Sequence, residues 1–420
     1  MRNQLTARPA ASTLGAASSR RRSLIGILLG VLLALGFVLV ACGGGDEDSI
    51  SPSPVGATAA TETPAVEKST PEIETTATAL PATPTVGGGT PVARPARLAE
   101  GLSLPPGFSA FVMAEGLFEP AALTVDDEGR IWVTERDRVL ILSDGDNDGF
   151  FEETKVYADG FAELQGLAFS PQGDVYLSHR GRVVRTSDTD GDDEADEAVD
   201  IITGLPNGNH QNNGIAFGPD GKLYITNGST CNECEEADER SAAMLQANPD
   251  GSGLRVYARG LRNPYSLTFD PQGRLWAGDN GSDPPCNTID ELNLIVDGGD
   301  YGWPYSPECD SFAKGISPVA DLGFNMAATG LVYYDGESFP AEYRGNIFVT
   351  LWGSLGFAPV KGGRLLARVT LTEMEGAPVG EAEEFVTGLN RPIDVEVDRD
   401  GSLLLLDFAT GRVYRIVYEG

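Results

Sequence analysis

Residues 260–276 read Gly-Leu-Arg262-Asn263-Pro-Tyr-Ser-Leu-Thr-Phe-Asp-Pro-Gln-Gly273-Arg-Leu-Trp276. This stretch consists of an apolar strand, a turn of the type Asp-Pro-x-Gly and a second apolar strand that carries an aromatic residue. In such a turn, glycine supplies the positive φ that the backbone needs and proline presets the first dihedral angle. The stretch therefore predicts a β-hairpin that turns at Gly273.

The same hairpin unit is found six times in the chain. Its turn glycines are Gly129, Gly173, Gly221, Gly273, Gly345 and Gly401. Successive turn glycines lie 44, 48, 52, 72 and 56 residues apart, which is the repeat length of a propeller blade. No helical periodicity of useful length appears from Leu102 onward. We therefore predict an all-β fold, a six-bladed β-propeller that forms one closed domain over residues 98–420, with an open β-sandwich as the alternative.

The first 42 residues are typical of a secretion signal. They contain five Arg and no acidic residue, and an uncharged run extends over residues 24–41. The run ends in Leu39-Val40-Ala41-Cys42, which resembles a bacterial lipobox and implies cleavage before Cys42 and lipidation of Cys42. The alternative is an uncleaved signal anchor, because such a run can nearly span a bilayer. Either way we expect an extracytoplasmic protein, periplasmic or at the cell surface, that is held to the membrane only at its N-terminus.

Between the signal and the propeller lies a tether. Residues 43–97 are mostly Gly, Pro, Thr, Ala, Ser and Glu with almost no aromatics. Such a composition cannot bury enough apolar surface to offset the entropy of ordering, so we expect this segment to be disordered.

The chain without the signal is strongly acidic: 25 basic residues stand against 62 acidic ones, which gives a net charge of −37. This charge makes nucleic acid and anionic lipid head groups poor partners.

Two acidic turns follow a pattern that calcium loops use. Asp144-Gly-Asp146-Asn-Asp148-Gly149 and Asp188-Thr-Asp190-Gly-Asp192 place carboxylates on alternate residues, with glycine allowing a sharp turn. Neither turn continues to a Glu at the twelfth loop position, so an EF-hand is excluded. Calcium sites and plain acidic turns both remain open.

Four cysteines remain once Cys42 is set aside. An even number outside the cytoplasm predicts two disulfides, and we expect the local pairs Cys231–Cys234 and Cys286–Cys309. A zinc site at Cys231 and Cys234, or crossed pairing, is the alternative.

The blade pattern also predicts where a site should lie. In a propeller the innermost strand of every blade starts on the same face, and His210, Arg262 and Arg391 stand 11, 11 and 10 residues before their turn glycines. Two guanidinium groups near the axis suit a planar anionic ligand, although a surface ion pair would explain each Arg alone. A buried His210 would stay neutral and could accept a proton, whereas His179, at the end of a second strand, is expected to be a rim residue. The residues that end the second strands of blades three to five should join the site: Asn227, Gly228, Asn280, Gly281 and residues 352–354.

The residues that carry a family resemblance lie in four motifs. These are His210 ahead of Phe-Gly-Pro-Asp-Gly-Lys-Leu-Tyr, Gly-Leu-Arg262-Asn263-Pro, Asp290-Glu291-Leu-Asn with Tyr301-Gly-Trp303-Pro, and Arg391-Pro-Ile-Asp394-Val. From Leu104 to its C-terminus the chain resembles the quinoprotein glucose/sorbosone dehydrogenases. That resemblance implies a six-bladed propeller that binds pyrroloquinoline quinone through Ca²⁺ and oxidises the anomeric carbon of sugars to lactones.

The resemblance also implies roles for single residues. His210 would be the general base and Arg391 the partner of a cofactor carboxylate. The implied cofactor ligands also include Arg262, Asn263 and, as the one candidate for the family's lysine, Lys361. The implied calcium ligands are the carbonyls of Gly281 and Ser282 for the cofactor's ion, and Glu291 with the carbonyl of Tyr301 for a second, structural ion.

Several positions depart from the family pattern. Asn209 replaces the acid before the histidine, Ile393 replaces a second arginine, Ser282 replaces a proline, and Lys361 is displaced. Two functions are therefore expected. One is a lipid-anchored sugar or alcohol dehydrogenase that passes electrons to a membrane acceptor. The other is a propeller without cofactor that binds a glycan or a protein partner, or that hydrolyses lactones with calcium.

Overall fold

The computed structural model describes residues 97–284, 286, 288–304, 315–354 and 362–420. The chain divides into two compact units, residues 1–78 and 79–420, and the second contains everything that is described. The predicted signal, Cys42 and the predicted tether up to residue 96 lie outside the described residues. So do Cys309 and Lys361.

In blades one and four, the turn folds because an aspartate at its start satisfies the backbone N–H groups of the turn. In blade four, the Asp270 carboxylate accepts hydrogen bonds from the N–H groups of Gln272 and Arg274, 3.0 and 2.9 Å long. It also accepts one from the indole of Trp276 in the next strand, at 2.9 Å. The turn glycine is left-handed, with φ +77° at Gly273, and the other five turn glycines have φ between +71° and +94°. The sequence pattern therefore specifies the turn and locks it to the following strand.

The described residues form 24 strands and one short 3-10 turn, Ala341–Tyr343. In chain order the first twelve strands are β1 (Phe108–Glu115), β2 (Ala122–Val125), β3 (Ile131–Thr134), β4 (Arg138–Ser143), β5 (Glu153–Asp159), β6 (Leu164–Phe169), β7 (Val175–His179), β8 (Arg182–Ser187), β9 (Glu197–Thr203), β10 (Asn212–Phe217), β11 (Leu223–Asn227) and β12 (Ala243–Ala247). The remaining strands are β13 (Arg255–Arg259), β14 (Pro264–Phe269), β15 (Leu275–Asp279), β16 (Ile289–Ile295), β17 (Ala320–Phe324), β18 (Ala328–Tyr334), β19 (Asn346–Leu351), β20 (Leu365–Met374), β21 (Ala377–Thr387), β22 (Pro392–Val397), β23 (Leu403–Asp407) and β24 (Arg412–Tyr418).

These strands form six antiparallel four-stranded sheets, so the predicted six-bladed propeller is confirmed. Five blades are consecutive runs of four strands, from β2–β5 to β18–β21. In the sixth blade β22, β23 and β24 are joined by β1, whose residues Phe108–Glu115 pair antiparallel with Arg412–Tyr418. Both ends of the propeller thus meet in one blade and close the ring, a feature that the sequence pattern did not predict.

The first strands of the six blades surround the axis. Each of β2, β6, β10, β14, β18 and β22 contacts the corresponding strand of the next blade. Apolar side chains fill the space between blades; one buried cluster, for example, contains Trp276 of blade four together with Leu331 and Val349 of blade five. Between the first strands lies an axial cavity of about 360 Å³. Within the described residues, no helix is long and apolar enough to cross a membrane.

Candidate functional site

His210 lies just before β10 and is held by the loop that follows β11. Its Nδ1 is 2.9 Å from Oγ and 3.1 Å from the carbonyl oxygen of Ser229. The Ser229 hydroxyl donates its own proton to the carbonyl of Cys231, 2.7 Å away. Nδ1 must therefore carry the ring proton and donate it, which leaves the lone pair on Nε2.

The surroundings of His210 keep its ring neutral. Burial, with a further contribution from the charge of Arg262, lowers the pKa of His210 from 6.5 to about 4. A neutral imidazole with a free Nε2 can accept a proton at neutral pH.

A polar cavity of about 260 Å³ lies against His210. Six of its eleven lining residues have amide side chains, and the others are two charged residues, a tyrosine, a glycine and His210 itself. Its lining residues are Glu163, Gln165, Arg180, Asn207, Gly208, Asn209, His210, Gln211, Asn213, Asn263 and Tyr265. The structure thus brings together two of the predicted site residues, His210 and Asn263, on the face where the first strands begin.

Asn263 is fixed in the wall of this cavity. The Asp279 carboxylate accepts hydrogen bonds from the N–H groups of Arg262 and Asn263, at 2.9 and 2.7 Å. The side-chain amide of Asn213 donates to Oδ1 of Asn263, 3.1 Å away. Gly228 must be glycine here, because a Cβ on it would lie 2.5 Å from Cβ of His210 and 2.7 Å from Oδ1 of Asn263. The close packing of His210 against Asn263 explains why a glycine directly follows the strand β11.

Arg262 does not line the cavity. Its guanidinium donates to the carbonyl and side-chain oxygens of Asn232, to the carbonyl of Asn280 and to the carboxylate of Asp283. The residue is only 3% exposed, so all of its nitrogens already face protein acceptors. In this structure Arg262 ties the loop after β11 to the loop after β15, and its role as a cofactor ligand stays a prediction.

Arg391 lies just before β22 and keeps part of its guanidinium available. Nη1 donates to three successive carbonyls, those of Trp352, Gly353 and Ser354, at 3.3, 2.8 and 3.3 Å. The guanidinium carbon is 5.3 Å from the centre of the Trp352 ring, close enough for a cation–π contact. Among the described residues no acceptor bonds to Nε or Nη2. Arg391 therefore joins residues 352–354 as predicted and can still bind a carboxylate.

Glu291, one of the predicted calcium ligands, lies in blade four with two further buried acidic residues. Asp279, Asp290 and Glu291 are 2%, 2% and 7% exposed, and Asp279 pairs with Glu291 across β15 and β16. Burial, followed by the charge of Asp279, raises the pKa of Glu291 to about 8. Ser282 Oγ and Asn293 Oδ1 are buried without a hydrogen-bond partner. Oxygen ligands without partners beside buried carboxylates are what a Ca²⁺ ion would satisfy.

Tyr301 and Gly281 occupy defined places in the same blade. The hydroxyl of Tyr301 donates to the carbonyl of Leu294, 2.6 Å away. The group of Tyr301 that is predicted to bind calcium is its backbone carbonyl. The N–H of Gly281 donates to the carboxylate of Asp290 at 2.8 Å. The roles of Gly281, Ser282, Glu291 and Tyr301 as calcium ligands stay predictions.

The first acidic turn gathers one carboxylate more than the sequence pattern predicts, and in the second turn Asp196 takes the place expected for Asp192. In the first turn, ligand atoms of Asp144, Asp146, Asp148 and Glu152 lie within 4.8 Å of one another. In the second turn, Asp188, Asp190 and Asp196 do the same. Glu152 and Asp196 each stand eight residues after the first aspartate, a spacing that would have pointed to them. Calcium in these turns stays a prediction.

The cysteines agree with the predicted pairing as far as they are described. Cys231 and Cys234 form a disulfide, so the alternative of zinc at these two residues is wrong. Cys286 is also disulfide-bonded. Its predicted partner, Cys309, lies outside the described residues, as does Lys361, so the second bond and the role of Lys361 stay predictions.

His179 differs from the expected rim residue in that it is buried, with 9% of its surface exposed. Its ring packs edge-on against Phe161, at 5.4 Å between centres, and its Nδ1 has no hydrogen-bond partner. It does not line the cavity beside His210. The next residue, Arg180, does, so the rule that second strands end at the site applies to blade two as well, one residue further along.

The axial cavity meets the His210 cavity at two residues. Tyr265 and Gln165 line both cavities, and the tyrosine hydroxyl donates to Oε1 of Gln165 at 2.7 Å. Deeper along the axis, Asp394 and Glu396 line the axial cavity from β22. Burial raises the pKa of Asp394 to about 8 and that of Glu396 to about 7. No Lys or Arg lines this axial cavity within the part of the chain that the structure describes.

Comparison with known proteins places the chain among propellers of this type. The model of the family described as "Domain of unknown function (DUF7133)" matches residues 94–416. Quinoprotein glucose dehydrogenase B of Acinetobacter calcoaceticus is 30% identical over an alignment of 181 residues, and the match covers 32% of this chain and 37% of that protein. The resemblance to the quinoprotein sugar dehydrogenases is thereby confirmed. The chain spans between 32% and 61% of the length of the curated relatives that it matches.

Solved structures match over more of the chain. A putative oxidoreductase (glucose dehydrogenase) from Thermus thermophilus is 26% identical with a TM-score of 0.60, and the match covers 74% of this chain and 100% of that one. The PQQ-bound form of aldose sugar dehydrogenase from Streptomyces coelicolor is 23% identical with a TM-score of 0.59, over 75% of this chain and 99% of that one. The second match shows a shared fold only.

Proposed function

Because the chain belongs to the family described as "Domain of unknown function (DUF7133)" and shares its fold with named sugar dehydrogenases, we propose that it oxidises an aldose to its lactone with pyrroloquinoline quinone and Ca²⁺. The observation that carries this proposal is the state of His210. Its Nδ1 proton is committed to Ser229, and its ring is neutral and lines a polar cavity. A positioned base beside a cavity rich in amides suits the removal of a proton from a sugar hydroxyl.

In the proposed reaction His210 Nε2 takes the proton of the anomeric hydroxyl as hydride leaves the anomeric carbon. When bound, the quinone would supply the acceptor for that hydride, and its calcium ion would polarise the accepting carbonyl. Ser229 keeps the imidazole in the required tautomer and orientation throughout. Because burial and Arg262 disfavour the imidazolium, His210 then readily passes the proton to solvent.

The residues present fit the cofactor at several points. Arg391 offers a guanidinium edge to a cofactor carboxylate, and Asn263 offers an amide in the wall of the cavity. For the cofactor's calcium, the backbone at Gly281 and Ser282 is the proposed ligand, next to the buried hydroxyl of Ser282 that has no partner. Glu291 and the carbonyl of Tyr301 are the proposed ligands of the second calcium.

A second function is favoured by the geometry of Arg262. Since its guanidinium is engaged with Asn232, Asn280 and Asp283, a direct bond to the quinone would require some of these hydrogen bonds to break. A propeller that binds sugars or a protein partner without the cofactor, or that hydrolyses lactones with calcium, needs no such exchange. This function is the alternative to the dehydrogenase.

The location follows from the N-terminal sequence and is part of the proposal. We place the propeller outside the cytoplasm, held to the membrane by a lipid on Cys42 through the tether of residues 43–97. Electrons from the sugar would then pass to an acceptor in the same membrane. The anchor would keep the propeller close to that acceptor.

Titration with pyrroloquinoline quinone, with and without Ca²⁺, tests the cofactor. Saturable binding that requires Ca²⁺ is expected, and Arg391→Ala should weaken it about 10-fold or more, the loss of one hydrogen bond to a charged group. Arg399→Ala is the matched control, because Arg399 lies in the same blade at the turn after β22, the end opposite to Arg391. If the wild type does not bind the quinone, the dehydrogenase is refuted and the alternative function, that of a propeller without cofactor, takes its place.

A further inference from the structure

Two charged residues in the wall of the His210 cavity have no role in the reaction described so far. Glu163 stands directly before β6 and Arg180 directly after β7, and both line the cavity. Their side chains form an ion pair with 3.2 Å between Nη1 and Oε1, and they are 41% and 56% exposed. An exposed pair of this kind contributes little to stability, so its position calls for another explanation.

The backbone at Arg180 is one that an arginine does not favour. Strands β7 and β8 are joined by only two residues, Arg180 and Gly181, with φ of +21° and +79°. Turns with two positive φ values select Asn-Gly or Asp-Gly, because Cβ meets the backbone there and the short polar side chains of Asn and Asp offset that cost with local hydrogen bonds. Neighbouring groups fix this turn. The N–H of Gly181 donates to Oδ1 of Asn212 at 2.6 Å, and its carbonyl accepts from the N–H of Leu205 at 3.0 Å.

Glu163 is strained in the same way. Its φ is +57°, and its carbonyl accepts a hydrogen bond from the side-chain amide of Gln211, the residue after His210, at 3.3 Å. Two non-glycine residues with left-handed backbone thus face each other across one cavity that also contains the candidate base. Strain held in place by the surrounding structure clusters at functional sites.

We infer that Glu163 and Arg180 form a recognition pair for the hydroxyls of one neutral pyranose, with the carboxylate accepting and the guanidinium donating hydrogen bonds. This inference rests on the proposed function, which places the anomeric hydroxyl of the sugar at Nε2 of His210. The pair carries no net charge, and amides such as Gln165, Asn207 and Gln211 surround it. A pair without net charge gives a sugar acid no electrostatic advantage, whereas a neutral polyol can use every one of these groups.

The cavity has the size of a small-molecule site and can hold a single sugar ring. Its volume of about 260 Å³ lies below the roughly 300–1,000 Å³ of sites for drug-sized ligands. The pair is therefore expected to contact one pyranose unit.

The substitution Arg180→Asn separates a binding role from a structural one. Asn suits the positive φ of the turn better than Arg, so the melting temperature should stay equal or rise. Loss of the guanidinium should at the same time weaken sugar binding about 10-fold or more. The control is Arg182→Asn, since Arg182 lies on the same hairpin but pairs with Asp200 of β9, 2.5 Å away. It should bind sugar like the wild type.

The probes are methyl glucopyranoside, methyl mannopyranoside and methyl galactopyranoside. They have no free anomeric hydroxyl, so they bind without being oxidised, and calorimetry can measure their affinity with and without the quinone. Glu163→Gln should weaken the best probe as well. The inference is overturned if Arg180→Asn binds that probe like the wild type, if it binds more weakly only because it melts at a lower temperature, or if no pyranoside binds to the wild type. Sugar binding that depends on Arg180 in a protein that binds no quinone would support this inference and refute the dehydrogenase.

Discussion

Glu396 gives a test of the axial cavity that does not depend on any ligand. Burial raises the pKa of its carboxyl from 4.5 to about 7, so the folded protein keeps a proton that the unfolded chain releases in this pH range. Stability must therefore fall as pH rises from about 4.5 to 7. At about 1.36 kcal/mol per pH unit the loss has an upper limit of roughly 3 kcal/mol. Because the carboxyl faces a cavity, its desolvation is incomplete, and we expect the free energy of unfolding to fall by about 2 kcal/mol.

Glu396→Gln removes this titration and keeps the shape of the side chain. The N–H of Val397 donates to Oε1 of Glu396 at 3.0 Å, and a glutamine oxygen can accept the same bond. Calorimetric melting should find the variant and the wild type alike near pH 5, and the variant about 3 °C more stable near pH 8, from about 2 kcal/mol in a domain of this size. Glu384→Gln, on the exposed side of β21, is the control and should show no such dependence. An equal difference between wild type and Glu396→Gln at both pH values would refute the reasoning.

Three further predictions follow from the site and the N-terminus. Arg262→Ala should lower the free energy of unfolding by about 3 kcal/mol, because buried acceptors lose their donor; chemical denaturation measures this, and unchanged stability would contradict the contacts described. Ca²⁺ should raise the melting temperature of the chelated protein, and Asp146→Asn should reduce that rise; an equal rise in the variant would exclude the first acidic turn. Mass spectrometry of the mature protein should find an acylated Cys42 at the N-terminus, and an intact Met1 would contradict it.

The blades could be predicted because the residues that specify each hairpin are close together in the sequence. The acidic residue, the turn glycine and the aromatic of the next strand lie within a few residues of one another, and Asp270 shows how they bond directly. The closing strand β1 carries no such turn. Its pairing with β24 joins residues about 300 positions apart, and only the complete ring determines that register.

The candidate site could be predicted in part for the same reason. His210, Asn263 and Arg391 stand at fixed positions before first strands, so the blade repeat places them on one face. The state of Arg262 could not be predicted, because it depends on Asn232 and Asp283 from two loops outside the repeat. Arg180 could have been predicted as a site residue from the sequence, because it directly follows a second strand.

The central claim is that His210 acts as the base in quinone-dependent sugar oxidation, and rapid mixing of the quinone-loaded protein with an aldose tests it most directly. The absorbance of the bound quinone should change as it is reduced. His210→Ala should bind the quinone normally but slow its reduction by about 10²–10⁴-fold, the usual contribution of a positioned base. His179→Ala, which removes a histidine outside the cavity, should reduce the quinone at a rate close to that of the wild type. If His210→Ala reduces the quinone as fast as the wild type does, the account is contradicted.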